Sequence, residues 1–202
     1  AALPELGQHR PIREAKPEKR RDVHDRNRNK QAMRGYFGIG AEEISKPMNL
    51  GALMRTANAF GASFFFTINA HPKVRGAYNS DTSRSFDHMP YYPWDSPEAM
   101  LLPKGCQLVG VELTDDAIEL PRFQHPQAAA YILGQERGSL SPAVIARCAH
   151  VVQIPTKFCL NVGLAGALVM YDRLLAHGGY PARPIMPGGP PPEMNTKPKL
   201  KT

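Results

Sequence analysis

The chain has 202 residues, of which 42% are hydrophobic and 21% charged, and its formal net charge is +7. That length can bury one sizeable core, and three scattered cysteines without a C-x-x-C pair exclude a disulfide-rich miniprotein. The cysteines are isolated, which is typical of a reducing compartment. The sequence shows no apolar run near the roughly 20 residues of a membrane span and no signal-peptide pattern. We therefore expect a cytoplasmic protein without a membrane segment.

The chain begins with a basic segment, residues 1–34, in which ten Lys and Arg accompany five acidic residues. Its scattered prolines and missing apolar periodicity predict a disordered extension. Residues 181–202 form a second basic tail, too rich in proline and glycine to continue a helix. Flexible Lys and Arg can neutralise phosphates, so these tails favour nucleic-acid binding; a merely solubilising role is the alternative.

Residues 35–180 are predicted to form one folded domain, because short apolar runs alternate there with helical patterns. The predicted strands are 36–40, 63–68, 107–111, 129–133 and 150–154, and the predicted helices are 48–60, 96–102, 141–148 and 160–176. This alternation predicts an α/β fold with a mainly parallel sheet and helices on both faces. Ligands of such sheets bind beyond the carboxyl ends of the strands.

The last predicted helix carries its large apolar residues on a single face. These residues are Leu160, Leu164, Leu168, Tyr171 and Leu175. Ser141 followed by Pro142 is a typical N-cap and first-turn pair for the helix before it.

Polar residues follow the first predicted strand. Asn49 is placed to cap the helix over 48–60. Arg55 comes six residues later, about 240° further round an α-helix, away from the apolar side. Taken alone, this segment indicates a helix cap and a solvated arginine.

Two further segments of the same character follow later strands. In 133–138, glycines would let the backbone approach a ligand closely, and Glu136 could bind that ligand or a partner arginine; an ordinary strand-to-helix turn is the alternative. In 154–171, a loop leads to Cys159 and Asn161 at the start of a helix. Small residues at Gly163 and Gly166 would allow another backbone to pack closely, within the chain or across a dimer.

These three segments, 49–57, 133–140 and 154–165, resemble in this order the signature motifs of the SpoU-type RNA ribose 2′-O-methyltransferases of the SPOUT superfamily. The resemblance implies a C-terminal trefoil knot, S-adenosyl-L-methionine as methyl donor, and a homodimer with active sites at the subunit interface. It implies Arg55 as the catalytic residue, acting as base or oxyanion stabiliser, with Asn49, Glu136 and Asn161 as supporting polar residues. The positions that would hold the donor are Leu133, Gly134, Glu136, Gly138, Ile154, Pro155, Cys159, Leu160 and Asn161.

The implied acceptor is a ribose 2′-hydroxyl of tRNA or rRNA, which excludes DNA. We expect tRNA rather than rRNA, because no separate recognition domain precedes residue 35. Two departures from the family pattern concern the third segment: Cys159 replaces the usual serine, and only three residues separate Pro155 from it. We therefore keep a catalytically silent RNA-binding or ribosome-associated protein of the same fold as the alternative.

A nucleotide-dependent dehydrogenase is a weaker possibility, suggested by Gly38 and Gly40 in the first strand. The third glycine of that fingerprint is missing at the required spacing. We find no P-loop, and no spacing typical of a zinc site, so we expect no bound metal.

Overall fold

The computed structural model describes residues 35–74, 89–135 and 138–180. The two predicted basic tails, 1–34 and 181–202, lie outside these ranges, and so does Glu136. The strands are β1 (Tyr36–Glu42), β2 (Phe64–Ile68), β3 (Tyr91–Trp94), β4 (Gln107–Val111), β5 (Ile118–Glu119), β6 (Ala128–Leu133) and β7 (His150–Gln153). The α-helices are α1 (Pro47–Phe60), α2 (Pro142–Ile145) and α3 (Val162–Ala176), and a 3₁₀ turn covers Leu120–Arg122. None of the helices in the described ranges has the length and apolar character that crossing a bilayer requires.

In the described residues, seven strands form one sheet in the order β3-β2-β1-β6-β4-β7-β5, and every neighbouring pair is parallel. The predicted α/β fold with a mainly parallel sheet is confirmed. The register aligns the last residues of the central strands, since Leu133 of β6 pairs with Ala41 of β1 and with Val111 of β4. The residues that follow these strands therefore meet at one edge of the sheet.

Apolar side chains alternate between the two faces of the sheet, as the period of a strand requires. Phe37, Ile39 and Ala41 of β1 join a core on one face, to which α1 and α3 contribute their buried residues. Phe64 and Phe66 of β2 lie in a second core on the other face, together with residues of α2 and the segment before β4. Helices thus cover both faces, as predicted.

The two glycines of β1 provide space for aromatic rings of β2. A Cβ added at Gly38 would lie 2.6 Å from Cδ2 of Phe64, and one added at Gly40 would lie 2.6 Å from Cδ2 of Phe66. No real side chain tolerates such distances, so the Gly-Ile-Gly sequence that suggested a dinucleotide site is explained by packing.

The buried side of α3 contains two glycines that approach α1, beside larger buried residues such as Met170 and Arg173. A Cβ at Gly163 would lie 3.3 Å from Cβ of Ala52, and one at Gly166 would collide with Cδ1 of Leu53. These glycines therefore pack against α1 of the same chain. Part of the predicted apolar face points outward instead, since Leu164 and Leu168 are 53% and 38% exposed, whereas Leu160 packs against the core.

A buried arginine fixes the far end of α3. Arg173 is 1% exposed and lies 5.3 Å from the ring centroid of Phe37. Its guanidinium donates to the carbonyl oxygens of Pro126, Gln127 and Tyr36 at 2.6, 2.7 and 3.2 Å. Because these carbonyls belong to the amino-terminal edge of β1 and β6, the opposite end of α3 lies at the carboxyl edge.

Several predicted boundaries were wrong. Residues 96–102 form a turn rather than a helix, in which Ser96 Oγ accepts a hydrogen bond from the Ala99 amide at 3.3 Å. The prolines at 97 and 103 leave too few residues for a helix to continue. The helix predicted over 141–148 is limited to α2, although Ser141 caps it as expected. Strands β3 and β5 were not predicted, because β3 contains Pro93 and β5 is only two residues long. The trefoil knot stays a prediction.

The packing of β1 against β2 yields a test of stability. Gly40→Ala should lower the free energy of unfolding by about 1–3 kcal/mol, because the new methyl group would meet the carbonyl oxygen of Phe66. Gly51→Ala is the matched control, since its Cβ would meet no described atom within 4 Å; helix propensity should stabilise it by up to about 1 kcal/mol. Urea unfolding with unchanged m-value measures both. Equal effects of the two substitutions would contradict the packing role.

Candidate functional site

A cavity of about 540 Å³ opens at the carboxyl edge of the sheet. Segments that follow β4, β6 and β7 form it together with the first turns of α1 and α3. The residues that line it are Lys46, Asn49, Val111, Glu112, Leu113, Leu133, Gly134, Gln135, Gly138, Ser139, Ile154, Thr156, Cys159, Leu160, Asn161, Val162 and Ala165. Its volume lies within the roughly 300–1,000 Å³ usual for small-molecule sites.

The cavity brings together most of the residues predicted from the three motif segments. Those that line it are Asn49, Leu133, Gly134, Gly138, Ile154, Cys159, Leu160 and Asn161. Pro155 lies in the same loop but is not among the lining residues. Arg55 is exposed on α1 and does not line the cavity either. Glu136 lies outside the described residues.

A pair of asparagines joins the first motif segment to the third. Asn161 Nδ2 donates to Asn49 Oδ1 at 3.1 Å, and Asn161 Oδ1 accepts from the Gly163 amide at 2.9 Å. Asn161 is thus the N-cap of α3, which begins two residues later than the predicted helix over 160–176. The predicted capping role of Asn49 was wrong, because α1 already begins at Pro47 and Asn49 lies inside its first turn.

Two carboxylates hold the segment that leads into α2. Glu42, at the end of β1, is only 4% exposed and accepts hydrogen bonds from the amide and the hydroxyl of Ser141 at 2.7 and 2.6 Å. Glu112, after β4, accepts from the Leu140 amide at 2.7 Å and lines the cavity. Sequence reasoning missed both residues. An acidic residue directly after a buried apolar strand was the available signal, since a carboxylate there needs a donor.

Gly134 is needed where this segment approaches β6. A Cβ at this position would lie 3.1 Å from the amide nitrogen of Leu140 and 3.3 Å from Oε2 of Glu112. A Cβ here would therefore require the Leu140 amide and the Glu112 carboxylate to shift by a few tenths of an ångström. The glycine keeps the wall of the cavity close to backbone atoms, as its presence in the second motif segment suggested.

The short loop between β7 and α3 folds back on a threonine. The hydroxyl of Thr156 lies 2.8 Å from the carbonyl oxygen of Phe158 and 3.3 Å from that of Ile154. Cys159 follows, exposed and lining the cavity, while the Phe158 side chain is 81% exposed. The loop of three residues between Pro155 and Cys159 is therefore held by hydrogen bonds of its own.

The other two thiols do not belong to the site. Cys106 and Cys148 are free and partly buried. Burial raises the pKa of Cys148 to about 11 and also raises the pKa of Cys106. Both are protonated thiols at neutral pH, so neither is a nucleophile.

The lining offers apolar and neutral polar side chains in similar numbers, together with two glycines, and few ionic groups. Among the described lining residues, Lys46 and Glu112 carry formal charges, and Glu112 is already engaged with backbone amides. Such a cavity suits a ligand with flat apolar parts and polar edges, held in place by backbone hydrogen bonds. The arrangement can position reactants, which by itself supplies much of the rate of a transfer reaction.

Comparison with known proteins gives a family for this site. The profile of the SpoU rRNA Methylase family matches residues 37–171. A mouse tRNA (guanosine(18)-2′-O)-methyltransferase is 28% identical over 151 residues, which cover 66% of this chain but only 9% of the mouse protein. The tRNA (guanosine(18)-2′-O)-methyltransferase of Escherichia coli K12 is 24% identical over 69% of this chain and 74% of its own length. An AdoMet-bound rRNA methyltransferase structure from Sinorhizobium meliloti superposes with a TM-score of 0.60 at 18% identity, covering 70% of this chain and 57% of the other.

The hydrogen bonds between Glu42 and Ser141, which hold the segment before α2, can be tested by substitution. Glu42→Gln should lower the free energy of unfolding by about 1–3 kcal/mol, because an amide group cannot accept from both donors of Ser141 as a carboxylate does. The adjacent, exposed Glu43 provides a control, and Glu43→Gln should change stability by less than about 0.5 kcal/mol. Chemical denaturation measures both variants. A neutral effect of Glu42→Gln would mean that this carboxylate does not hold the segment.

Proposed function

Because the chain belongs to the SpoU rRNA methylase family, we propose that it transfers a methyl group from S-adenosyl-L-methionine to a ribose 2′-hydroxyl of RNA. The observation that carries the proposal is the meeting of the three motif segments around one cavity at the carboxyl edge of the sheet. The curated relatives named above act on tRNA, which supports tRNA rather than rRNA as the substrate. We place the protein in the cytoplasm with its substrate.

The cavity fits the proposed donor in size and in chemistry. Leu133, Gly134 and Ile154 would present backbone groups to the polar edges of the adenosine, with Leu160 supplying apolar contact. Gly138 and Cys159 complete this wall, and Glu136 and Pro155 remain proposed donor residues on the strength of the motifs. The donor supplies an electrophilic methyl group on a sulfonium, and the chain supplies the position of that methyl group.

The proposed catalytic residue is Arg55, whose part is to assist loss of the 2′-hydroxyl proton. A guanidinium group is a weak base and a strong hydrogen-bond donor, so we assign Arg55 stabilisation of the developing oxyanion. Asn49 and Asn161 hold the two motif segments together beside the acceptor position. Arg55 lies six residues after Asn49, about 9 Å along the axis of α1, and outside the cavity of its own chain.

This separation supports a site completed by a second copy of the chain. The outward face of α3 carries Leu164, Leu168 and Tyr171, which are 53%, 38% and 40% exposed. Tyr180 extends this apolar stripe, since its ring centroid lies 5.4 Å from that of Tyr171. Burial of such a stripe against its own symmetry mate would form a two-fold dimer. We propose that this homodimer brings Arg55 to a donor cavity.

Labelled methyl transfer from S-adenosyl-L-methionine to unfractionated tRNA and, separately, to rRNA tests the proposed reaction. We expect label in tRNA, at a nucleotide that resists alkaline cleavage. Arg55→Ala should reduce transfer by about 10²- to 10³-fold while donor binding persists. The control is Arg122→Ala, an exposed arginine outside the cavity, which should keep full activity.

Three other results would each contradict part of the proposal. Donor binding without transfer to either RNA would favour the silent RNA-binding protein. Absence of both donor binding and transfer would overturn the enzyme proposal. Loss of donor binding in Arg55→Ala would place this arginine in the donor site rather than beside the acceptor.

The proposed dimer predicts that Leu168→Asp yields a monomer, because a charge would be buried at the centre of the stripe. Sedimentation velocity of wild type and variant measures the change. Leu101→Asp is the control, since Leu101 is 80% exposed but lies outside α3, and it should leave the mass unchanged. A wild-type protein that sediments as a monomer would contradict the proposed homodimer.

A further inference from the structure

The loop between β7 and α3, which lines the cavity through Thr156 and Cys159, carries an aromatic side chain that no role described above uses. Phe158 is 81% exposed, although it directly precedes Cys159, which lines the cavity. The Thr156 hydroxyl lies 2.8 Å from the Phe158 carbonyl oxygen and so fixes the backbone at this point. The aromatic ring is therefore presented to solvent by an ordered loop.

Two cations and a second exposed apolar side chain belong to the segments that flank the cavity. Lys157 is the exposed neighbour of Phe158 in the same loop, and Lys46 lines the cavity from the start of α1. Met48 is 83% exposed and directly precedes Asn49, whose side chain bonds Asn161 at 3.1 Å. A ligand above the cavity would thus meet apolar surface and positive charge together, the combination that binds single-stranded nucleic acid.

We propose that Phe158 is the stacking platform for the nucleobase of the acceptor nucleotide, with Lys157 contacting an adjacent phosphate. This inference rests on the proposed function, because only a methyl acceptor must place its ribose at the mouth of the donor cavity. A base stacked on Phe158 would put its own ribose next to the asparagine pair. Met48 would give further apolar contact from the side of α1.

The chemistry of this subsite restricts the substrate. A nucleobase can stack on an aromatic ring only after it has left the stack of its neighbours, so the acceptor nucleotide must be unpaired. Every base has a π-face, and stacking therefore tolerates different bases. The subsite selects a nucleotide in a loop rather than a particular base.

Steady-state methylation of unfractionated tRNA by the full chain tests the platform. Phe158→Ala should raise the KM for tRNA by about tenfold to a hundredfold, the loss expected for one base–aromatic stack. Phe158→Tyr should restore it to within about threefold, which a merely structural role of the loop would not predict. Leu101→Ala removes an equally exposed apolar side chain elsewhere and should leave the KM unchanged. The equilibrium dissociation constant for S-adenosyl-L-methionine should stay within about twofold in all three variants.

A binding measurement separates this inference from the proposed reaction. The chain contains one tryptophan, Trp94, so Phe158→Trp adds a single reporter. Its fluorescence, corrected for that of the wild type, should be quenched when unfractionated tRNA is added, whether or not methyl transfer occurs. In the same titrations, Lys157→Ala should reduce the salt dependence of binding by about one phosphate contact.

Quenching without any methyl transfer would overturn the proposed reaction and leave the base platform supported. Methyl transfer with an unchanged KM in Phe158→Ala would overturn the platform alone. Weakened donor binding or a monomeric Phe158→Ala protein would also overturn it, because the ring would then serve the cavity wall or the contact with a second copy.

Discussion

The site depends on the common direction of the strands in the described sheet. The three motif segments follow β1, β6 and β7, and β4 lies among these strands in the sheet. Because all of them run in parallel and in register, Glu42 ends β1 at the level where Glu112 follows β4 and Gly134 follows β6. A strand of about six residues spans roughly 20 Å, so reversing any one of them would move its segment to the opposite edge. The cavity forms because segments that are distant in the sequence all begin at the same edge of the sheet.

Close packing then determines how the helices approach this edge. Gly163 and Gly166 allow α3 to lie against α1, and the bonds of Arg173 fix the other end of α3 on the sheet. Only at this separation can Asn161, at the start of α3, reach Asn49 in the first turn of α1. The hydrogen bond between the first and third motif segments therefore depends on the two glycines of α3, which leave room for α1.

The sequence predicted an element correctly where its apolar residues are the buried ones. It was misleading where close packing buries glycines and leaves large apolar residues exposed. Five strands and two long helices could be predicted because their apolar runs are continuous. The outward face of α3 could not, since a helix normally buries its large residues, whereas here Gly166 must face Leu53. Asn49 was expected to be a cap because its residue type favours that position, but Pro47 begins the helix two residues earlier. Ordered motifs located the cavity lining, yet they carried no information on Glu42 and Glu112, whose partners are 99 and 28 residues away in the chain.

The proposed donor side of the site is formed within one chain, whereas the proposed acceptor side is not. The proposed donor side is held by hydrogen bonds within the chain, which Ser141 donates to Glu42 and Asn161 donates to Asn49. Such a wall is formed before any ligand arrives, so little ordering is required when the proposed donor binds. Arg55 and Phe158, by contrast, are exposed on segments that flank the cavity. The proposed reaction needs the acceptor hydroxyl aligned with the donor methyl group, and in our proposal this alignment depends on RNA and on a second copy of the chain. The proposed function therefore assigns selectivity for the acceptor to the exposed side of the site and donor binding to the packed side.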